Sequence, residues 1–204
     1  MGSEQQRHVP GAEADVDVDQ NRQAAVRQIC IACGIRTDAV GTAIYLRGAQ
    51  GAVHPFTTAG FCGEEVGELQ TVLAEGPAFM SLRQTWPVLV PDLAAPRSTE
   101  RWPRFAPAAV EIGVAAVFAF PLTLAARSLG ILEIHRDHCG ALLPGEIADV
   151  VHLADAATAL VLDRSARSGR TDEQDDDRAA RSGLTGRRLS PVASDGAMFT
   201  NGDK

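Results

Sequence analysis

Three groups of side chains in this 204-residue chain combine residue types and spacings that are able to do chemistry. The first is Cys30-Ile-Ala-Cys33, a CxxC pair of the kind that forms a redox couple or half of a metal site. A zinc site needs two further ligands, and the sequence has no second CxxC or histidine pair with matching spacing. Both cysteines fall on an apolar helical stripe, and buried cysteine packs as a small hydrophobe. The sequence therefore favours core packing for both thiols.

The second group is His135-Arg-Asp-His138-Cys139, which lies at the end of a predicted strand. A His-x-x-His-Cys run can contribute to a zinc site, but a further ligand would have to come from a distant part of the chain. His54 and Cys62 are candidates, and nothing in the spacing selects either of them. We therefore predict a solvated turn here and no metal site.

The third group contains Cys62, which lies between an aromatic residue and a glycine before a predicted helix. Thiol catalysis needs an exposed, nucleophilic cysteine with a second thiol in reach. The segment from Phe79 to Trp102 contains no cysteine that would play that part. Gly-rich phosphate loops are also absent from the sequence. We therefore predict no catalytic residues, no cofactor and no enzymatic activity.

Glu133 is the single charge of greatest interest, because it lies within an apolar strand predicted over 129–136. It alternates with Ile131 and should be at least partly buried, and a buried carboxylate needs a partner or a ligand. One interpretation is a salt bridge to Arg104 or Arg127. The other is that Glu133 anchors a polar group of a small molecule in a pocket.

Apolar and aromatic side chains would line such a pocket around the carboxylate. The candidate residues are Phe79, Met80, Trp102, Phe105, Phe118, Phe120, Ile131 and Glu133. Large rings on a strand equally serve as ordinary core, because their burial contributes strongly to stability. The residues alone leave both interpretations open.

Periodicity and turn residues define the elements that must position these side chains. In the first part of the chain we predict a helix over 20–34, a β-hairpin of strands 41–47 and 52–58 with its turn at 48–51, and a helix over 64–73. In the last part we predict strands over 114–122 and 129–136 with a turn at 125–128, and a helix from Pro144 to about Asp163.

The middle of the chain is punctuated by prolines. Pro77 fits the first position of a short helix. Prolines at 87 and 91 flank a three-residue apolar strand, Val88–Val90, and restrict it to the edge of a sheet. A loop over 94–104 and a short helix over 106–112 follow. We expect the segment from Gly76 to Ile112 to cover one face of the sheet as a lid and to leave a hollow beneath it.

The last predicted helix is apolar on more than one side. Its first stripe contains Ile147, Val150, Val151, Ala154 and Val161, and Leu153, Ala156, Ala157 and Leu160 widen it. A helix that packs on a sheet needs only one stripe. We therefore predict a homodimer formed through helices 20–34 and 144–163.

Composition limits the partners and the location of the protein. The net charge is −7 and 45% of the residues are hydrophobic. Without a basic stripe the chain is not expected to bind nucleic acid. No apolar run approaches the roughly 20 residues of a membrane span, and no secretory signal is present. We predict a cytoplasmic protein with a disordered arm over 1–19, one domain over 20–163 and a disordered polar tail over 164–204.

Several spaced motifs occur in an order that resembles one known family. They are Ala74–Pro77, Trp86–Leu93, Trp102–Ala106, Gly113–Leu122 and Leu129–Ile134. The chain resembles a GAF domain, and it looks most like those of actinobacterial regulators, which often precede an RNA-binding ANTAR module. The tail from Arg164 lacks the regular apolar spacing of ANTAR helices, so direct action on RNA is not expected.

The resemblance implies an α/β fold, with an antiparallel sheet of six or fewer strands. Terminal helices lie on one face, and loops and short helices lie over the other. It also implies a sensory domain that binds a small molecule and signals through its dimer helices, in signal transduction or transcription regulation, with a possible regulatory protein as partner. The alternatives are a ligand-free interaction scaffold, or a redox sensor or free methionine sulfoxide reductase that uses Cys30, Cys33 or Cys62.

Overall fold

One antiparallel sheet with helices on both faces makes up the described part of the chain. A computed structural model describes residues 10–48 and 53–162. The elements in chain order are α1 (Pro10–Thr37), β1 (Gly41–Arg47), β2 (Val53–Gly60), α2 (Gly63–Leu73), α3 (Pro77–Gln84), β3 (Val88–Val90), α4 (Pro96–Arg101), α5 (Phe105–Glu111), β4 (Ala116–Leu124), β5 (Arg127–Arg136) and α6 (residues 144–162). The predicted α/β fold is confirmed.

The strand order explains which strands are central. The sheet has the order β2-β1-β5-β4-β3, and every neighbouring pair is antiparallel. β5 therefore lies at the centre, between β1 and β4. β3 lies at the edge, as its flanking prolines predicted, and β1 has the predicted bounds.

The two faces of the sheet carry separate apolar clusters, because successive side chains of a strand point to opposite faces. We call them the helix face and the lid face. On the helix face, α1 and α6 pack against Phe118, Phe120, Leu132 and Ile134. On the lid face, α2, α3 and α5 pack against Tyr45, Val117, Ala119 and Ile131. The predicted division into terminal helices on one face and short helices over the other is confirmed.

Some boundaries differ from the prediction. α1 begins at Pro10 instead of near residue 20, so residues 10–19 of the predicted disordered arm are helical. The rest of that arm, residues 49–51 of the predicted hairpin turn, and the tail over 164–204 lie outside the described residues. Within the described residues, no helix has the length and hydropathy of a membrane span.

The predicted loop over 94–104 is wrong in its centre, because it contains α4. Pro96 takes the first helical position, where its missing N–H costs nothing. Ser98 and Trp102 complete the turn, since the backbone N–H of Trp102 donates to the carbonyl of Ser98 at 2.9 Å. The sequence predicts a loop here because the segment is rich in prolines and charged residues.

Arg136 connects the sheet to both terminal helices. Its Nε donates to the carbonyl of Thr37 at the end of α1 at 2.6 Å, and its guanidinium donates to Glu146 of α6 at 2.7 Å. The ring of Phe118 lies beneath the guanidinium at 5.5 Å. Only 6% of the Arg136 side chain is exposed, so these contacts are shielded from water.

We expect Arg136→Met to lower the free energy of unfolding by about 2–4 kcal/mol, because it leaves a shielded carboxylate and a carbonyl without their donor. Arg36→Met is the matched control. Arg36 also joins α1 to α6 through a 2.7 Å ion pair with Asp149, but its side chain is 60% exposed. Exposed pairs contribute less than about 1 kcal/mol. Equal losses of stability for the two variants in urea unfolding would contradict the assignment.

Candidate functional site

A fully buried carboxylate lies at the centre of the lid face. Glu133 Oε2 accepts a hydrogen bond from Gln70 of α2 at 2.7 Å and lies 3.1 Å from Nε2 of His135. The cross-strand neighbours of Glu133 are Ala43 on β1 and Ala119 on β4. Because both neighbours are small, they leave room above the sheet for the carboxylate and for the amide that reaches it.

The predicted ion pair of Glu133 with Arg104 or Arg127 is wrong. Both arginines are exposed, Arg104 just before α5 and Arg127 at the first position of β5. The carboxylate lies in the middle of the strand beneath α2, so a helix residue reaches it instead. Sequence reasoning missed Gln70. The available signal was its position on the apolar stripe of α2, four residues after Val66, where a polar side chain needs a buried partner.

Gln70 also holds the start of α3. Its Oε1 accepts a hydrogen bond from the backbone N–H of Ala78 at 2.9 Å. Gly76 makes this approach possible, since a Cβ at that position would lie 2.2 Å from Gln70 Oε1. One amide therefore connects β5, α2 and α3.

Two polar atoms of this centre have no hydrogen-bond partner within the described residues, Glu133 Oε1 and His135 Nδ1. Unpartnered buried polar atoms are costly and uncommon. Tyr45 lies nearby and donates to the carbonyl of Gly63 at 3.0 Å. Burial, and then the charge of Glu133, raise the pKa of Tyr45 well above its usual value. The centre is therefore a group of polar side chains enclosed by the protein, where the dielectric is low.

The sheet divides the predicted pocket residues into two groups. Phe118 and Phe120 lie on the helix face among the side chains of α1 and α6. Glu133 lies on the lid face, because it pairs with Ala119, the residue between the two phenylalanines. One pocket therefore cannot contain both phenylalanines and Glu133, since the sheet separates these side chains.

The remaining predicted pocket residues do not form one pocket either. Trp102, Phe105 and Ile131 are buried together in the apolar cluster of the lid face. Met80 packs against that cluster and is partly buried, and Phe79 is also partly buried. The lid does cover the sheet as predicted. Over the central strands, however, its own aromatic side chains fill the space where a ligand was expected.

A cavity of about 500 Å³ lies at the margin of this packed region, between α2 and the β1–β2 hairpin. We call it the α2–hairpin cavity. Its lining residues are Tyr45, Val53, His54, Pro55, Glu64, Gly67, Glu68, Thr71 and Val72. Gly67 lets the ring of Tyr45 approach the helix, since a Cβ there would lie 2.6 Å from the ring. The cavity combines a mainly apolar surface with carboxylates and an imidazole among its lining residues.

A second concavity of about 270 Å³ lies between β3 and α4. We call it the β3–α4 groove. Met80 and Trp102 line it and are the only members of the predicted pocket set that do so. Two arginines of α4, Arg97 and Arg101, also line it.

Three of the four cysteines, Cys30, Cys33 and Cys62, are buried. Cys30 and Cys33 lie in the apolar cluster of the helix face, which confirms their predicted core packing. Burial raises the pKa of Cys30 to about 11 and that of Cys33 to about 12. Burial also raises the pKa of Cys62 to about 11. Thiols of this kind are almost entirely protonated near neutral pH, so they are poor nucleophiles.

The His-x-x-His-Cys run does not converge on one point. His138 and Cys139 are exposed in the turn after β5, as predicted, and His138 contacts Asp137 at 3.0 Å. His135 lies within β5, in the predicted strand, where it is fully buried and contacts Glu133. Within the described residues, no three His, Cys, Asp or Glu side chains are arranged to hold a metal ion.

Comparisons with known proteins identify the fold. No protein-family model and no curated protein matches the sequence. The chain is similar to the GAF domain of a phosphoenolpyruvate-protein phosphotransferase from Coxiella burnetii, with 17% identity and a TM-score of 0.57 over 75% of this chain and 93% of that chain. The GAF domain of the Acinetobacter phosphoenolpyruvate-protein phosphotransferase gives 13% identity and a TM-score of 0.58 over 72% and 86%.

A type II free methionine-R-sulfoxide reductase from Thermoplasma acidophilum is also similar, with 14% identity and a TM-score of 0.54 over 71% of this chain and 94% of that chain. At these identities the likeness concerns the fold alone. The chain therefore has the fold of a GAF domain. The finer likeness to actinobacterial regulators that precede ANTAR modules stays a prediction.

We expect a thiol reagent at pH 8 to label Cys139 rapidly and the other three cysteines slowly, because Cys139 alone is exposed. With a pKa of about 11, roughly one Cys30 thiol in a thousand is ionised at this pH. Labelling of the native Cys139→Ala variant should therefore be slow and should accelerate as the pH rises toward 11. Rapid labelling of this variant at pH 8 would show a reactive thiol and would revive the redox interpretation.

Proposed function

We propose that this domain is a sensory module that binds a small molecule in the α2–hairpin cavity and acts in signal transduction or transcription regulation. The observation that carries the proposal is the cavity itself. Its volume of about 500 Å³ falls within the ~300–1,000 Å³ range of ligand sites. Its mainly apolar surface, with polar groups at several positions, also resembles that of such sites. The GAF fold of the chain is consistent with this use.

α2 would transmit the presence of the ligand to the sheet. Gly67, Glu68 and Thr71 line the cavity on one side of this helix. Gln70, on another side, holds Glu133 of β5 at 2.7 Å. A ligand that displaces α2 therefore alters the hydrogen bonding of a buried carboxylate, which has few other partners.

β5 would carry the change through to the opposite face. Arg136 is three residues after Glu133 and contacts both α1 and α6. A small molecule shifts such a system only by binding one arrangement more tightly than the other. The route from the cavity to the terminal helices thus consists of α2, Gln70, β5 and Arg136.

We also propose that the terminal helices pair with those of a second copy. Val151 of α6 is 40% exposed and Ile35 of α1 is 78% exposed. Ala156 is exposed and Leu153 is only partly buried, although both belong to the widened apolar stripe of α6. A homodimer through helices 20–34 and 144–163 would cover this surface and give the sensor its output. A regulatory protein partner, a cytoplasmic location and the actinobacterial type belong to the same proposal.

A ligand-free interaction scaffold is the second candidate. The packing of Trp102, Phe105 and Ile131 between the lid and the sheet favours it, because the protein's own side chains fill that space. The redox and reductase interpretations have less support, since Cys30, Cys33 and Cys62 are buried with raised pKa values.

A thermal-shift screen of metabolites against the full chain tests the sensor. At a concentration of about 100 times its Kd, a ligand should raise the Tm by about 5–10 °C through linkage. Thr71→Phe places a ring in the cavity and should abolish the shift. Thr123→Phe is the matched control, because it makes the same change at an exposed position of β4 outside the lining residues.

A hit that stabilises both variants equally would place the ligand outside the cavity. A broad panel in which no compound stabilises the wild-type chain would favour the scaffold over the sensor.

A further inference from the structure

We propose that the β3–α4 groove is a second binding site and that it takes a small organic anion, with a carboxylate or phosphate-monoester head and an apolar body. The site is separate from the α2–hairpin cavity and shares no lining residue with it. Its cationic groups, Arg97 and Arg101, are four residues apart on α4 and therefore lie on the same side of that helix.

Both arginines are available for an external anion. In the part of the chain that the structure describes, neither Arg97 nor Arg101 forms an ion pair. The guanidinium of Arg101 lies 5.3 Å from the centroid of the Trp102 ring, a stacking that leaves its N–H groups free to donate. Two neighbouring cations without counter-ions stand out in a chain of net charge −7. A guanidinium binds carboxylate and phosphate alike through two parallel hydrogen bonds.

Apolar side chains also line the groove beside the two arginines. They are the partly buried Met80 and the buried Val88 and Trp102. The volume of about 270 Å³ lies just below the usual range of ligand sites, which fits a single-ring molecule.

α4 is held firmly beside β3, so the backbone that carries Arg97 and Arg101 is fixed. Ser98 is buried, and its hydroxyl donates to the carbonyl of Asp92 at 2.7 Å. The Asp92 side chain in turn accepts from the backbone N–H of Ala94 at 2.9 Å. These bonds fix the loop between β3 and α4 and therefore the width of the groove.

Fluorescence of Trp102 provides a direct test. The chain has two tryptophans, so Trp86→Phe leaves Trp102 as the only one. In that background, benzoate and phenyl phosphate should produce saturable fluorescence changes, and benzylamine should produce none. The tighter of the two anions identifies the head group as carboxylate or phosphate. Binding should weaken as salt rises from 50 to 500 mM.

Substitutions localise the site. Arg97→Gln and Arg101→Gln should each raise the Kd about five- to tenfold, since each removes one charge-assisted contact. Arg83→Gln is the matched control, because Arg83 is an exposed arginine of the neighbouring α3 that does not line the groove. It should leave the Kd unchanged. Circular dichroism confirms that the variants fold, as expected for exposed positions.

Three results would overturn the proposal. They are a lack of saturable binding by either aromatic anion, an unchanged Kd in the Arg97→Gln/Arg101→Gln double variant, and binding of benzylamine as tight as that of benzoate. If inorganic phosphate bound as tightly as phenyl phosphate, the apolar side chains would have no part in recognition and that half of the proposal would fail. Failure of the α2–hairpin cavity to bind a ligand would not affect these outcomes.

Discussion

A carboxylate shielded from solvent depends on the protein around it for hydrogen bonds, and this requirement organises the lid face. Glu133 is fully buried at the centre of the sheet, and Gln70 of α2 supplies its shortest hydrogen bond. The same amide accepts the backbone N–H of Ala78 and so fixes the start of α3. If α2 moved away, the carboxylate would lose a donor in surroundings that offer few others. The position of α2 and α3 and the hydrogen bonding of Glu133 therefore depend on each other.

β5 connects this buried carboxylate to the helices on the other face of the sheet. Glu133 faces the lid, whereas Arg136 at the end of the same strand contacts α1 and α6 on the other side. The two apolar clusters share no residues, and the central strand is common to both. Hydrogen bonds therefore extend from the lid face through β5 to the terminal helices.

The fold could be predicted from local signals, and the site could not. Prolines on both sides of Val88–Val90 define an edge strand, and alternation predicts that Glu133 is buried. The partner of Glu133 is 63 residues away in sequence, so no local pattern selects Gln70 over an arginine. Phe118 and Phe120 belong to the predicted pocket because they are aromatic. Their face relative to Glu133 depends on the pairing of β4 with β5, which only the fold reveals. Arg97 and Arg101 were missed because α4 resembles a charged loop.

A double-mutant cycle between Gln70 and Glu133 tests the central claim most directly. Unfolding in urea of Gln70→Met, Glu133→Met and the double variant gives the coupling free energy between the two side chains. A buried amide that donates to a carboxylate should give a coupling of about 1.5–3 kcal/mol, so that the double variant loses less stability than the sum of the single variants. Additive losses within about 0.5 kcal/mol would show that the two side chains act independently. They would contradict the link between the lid and the sheet.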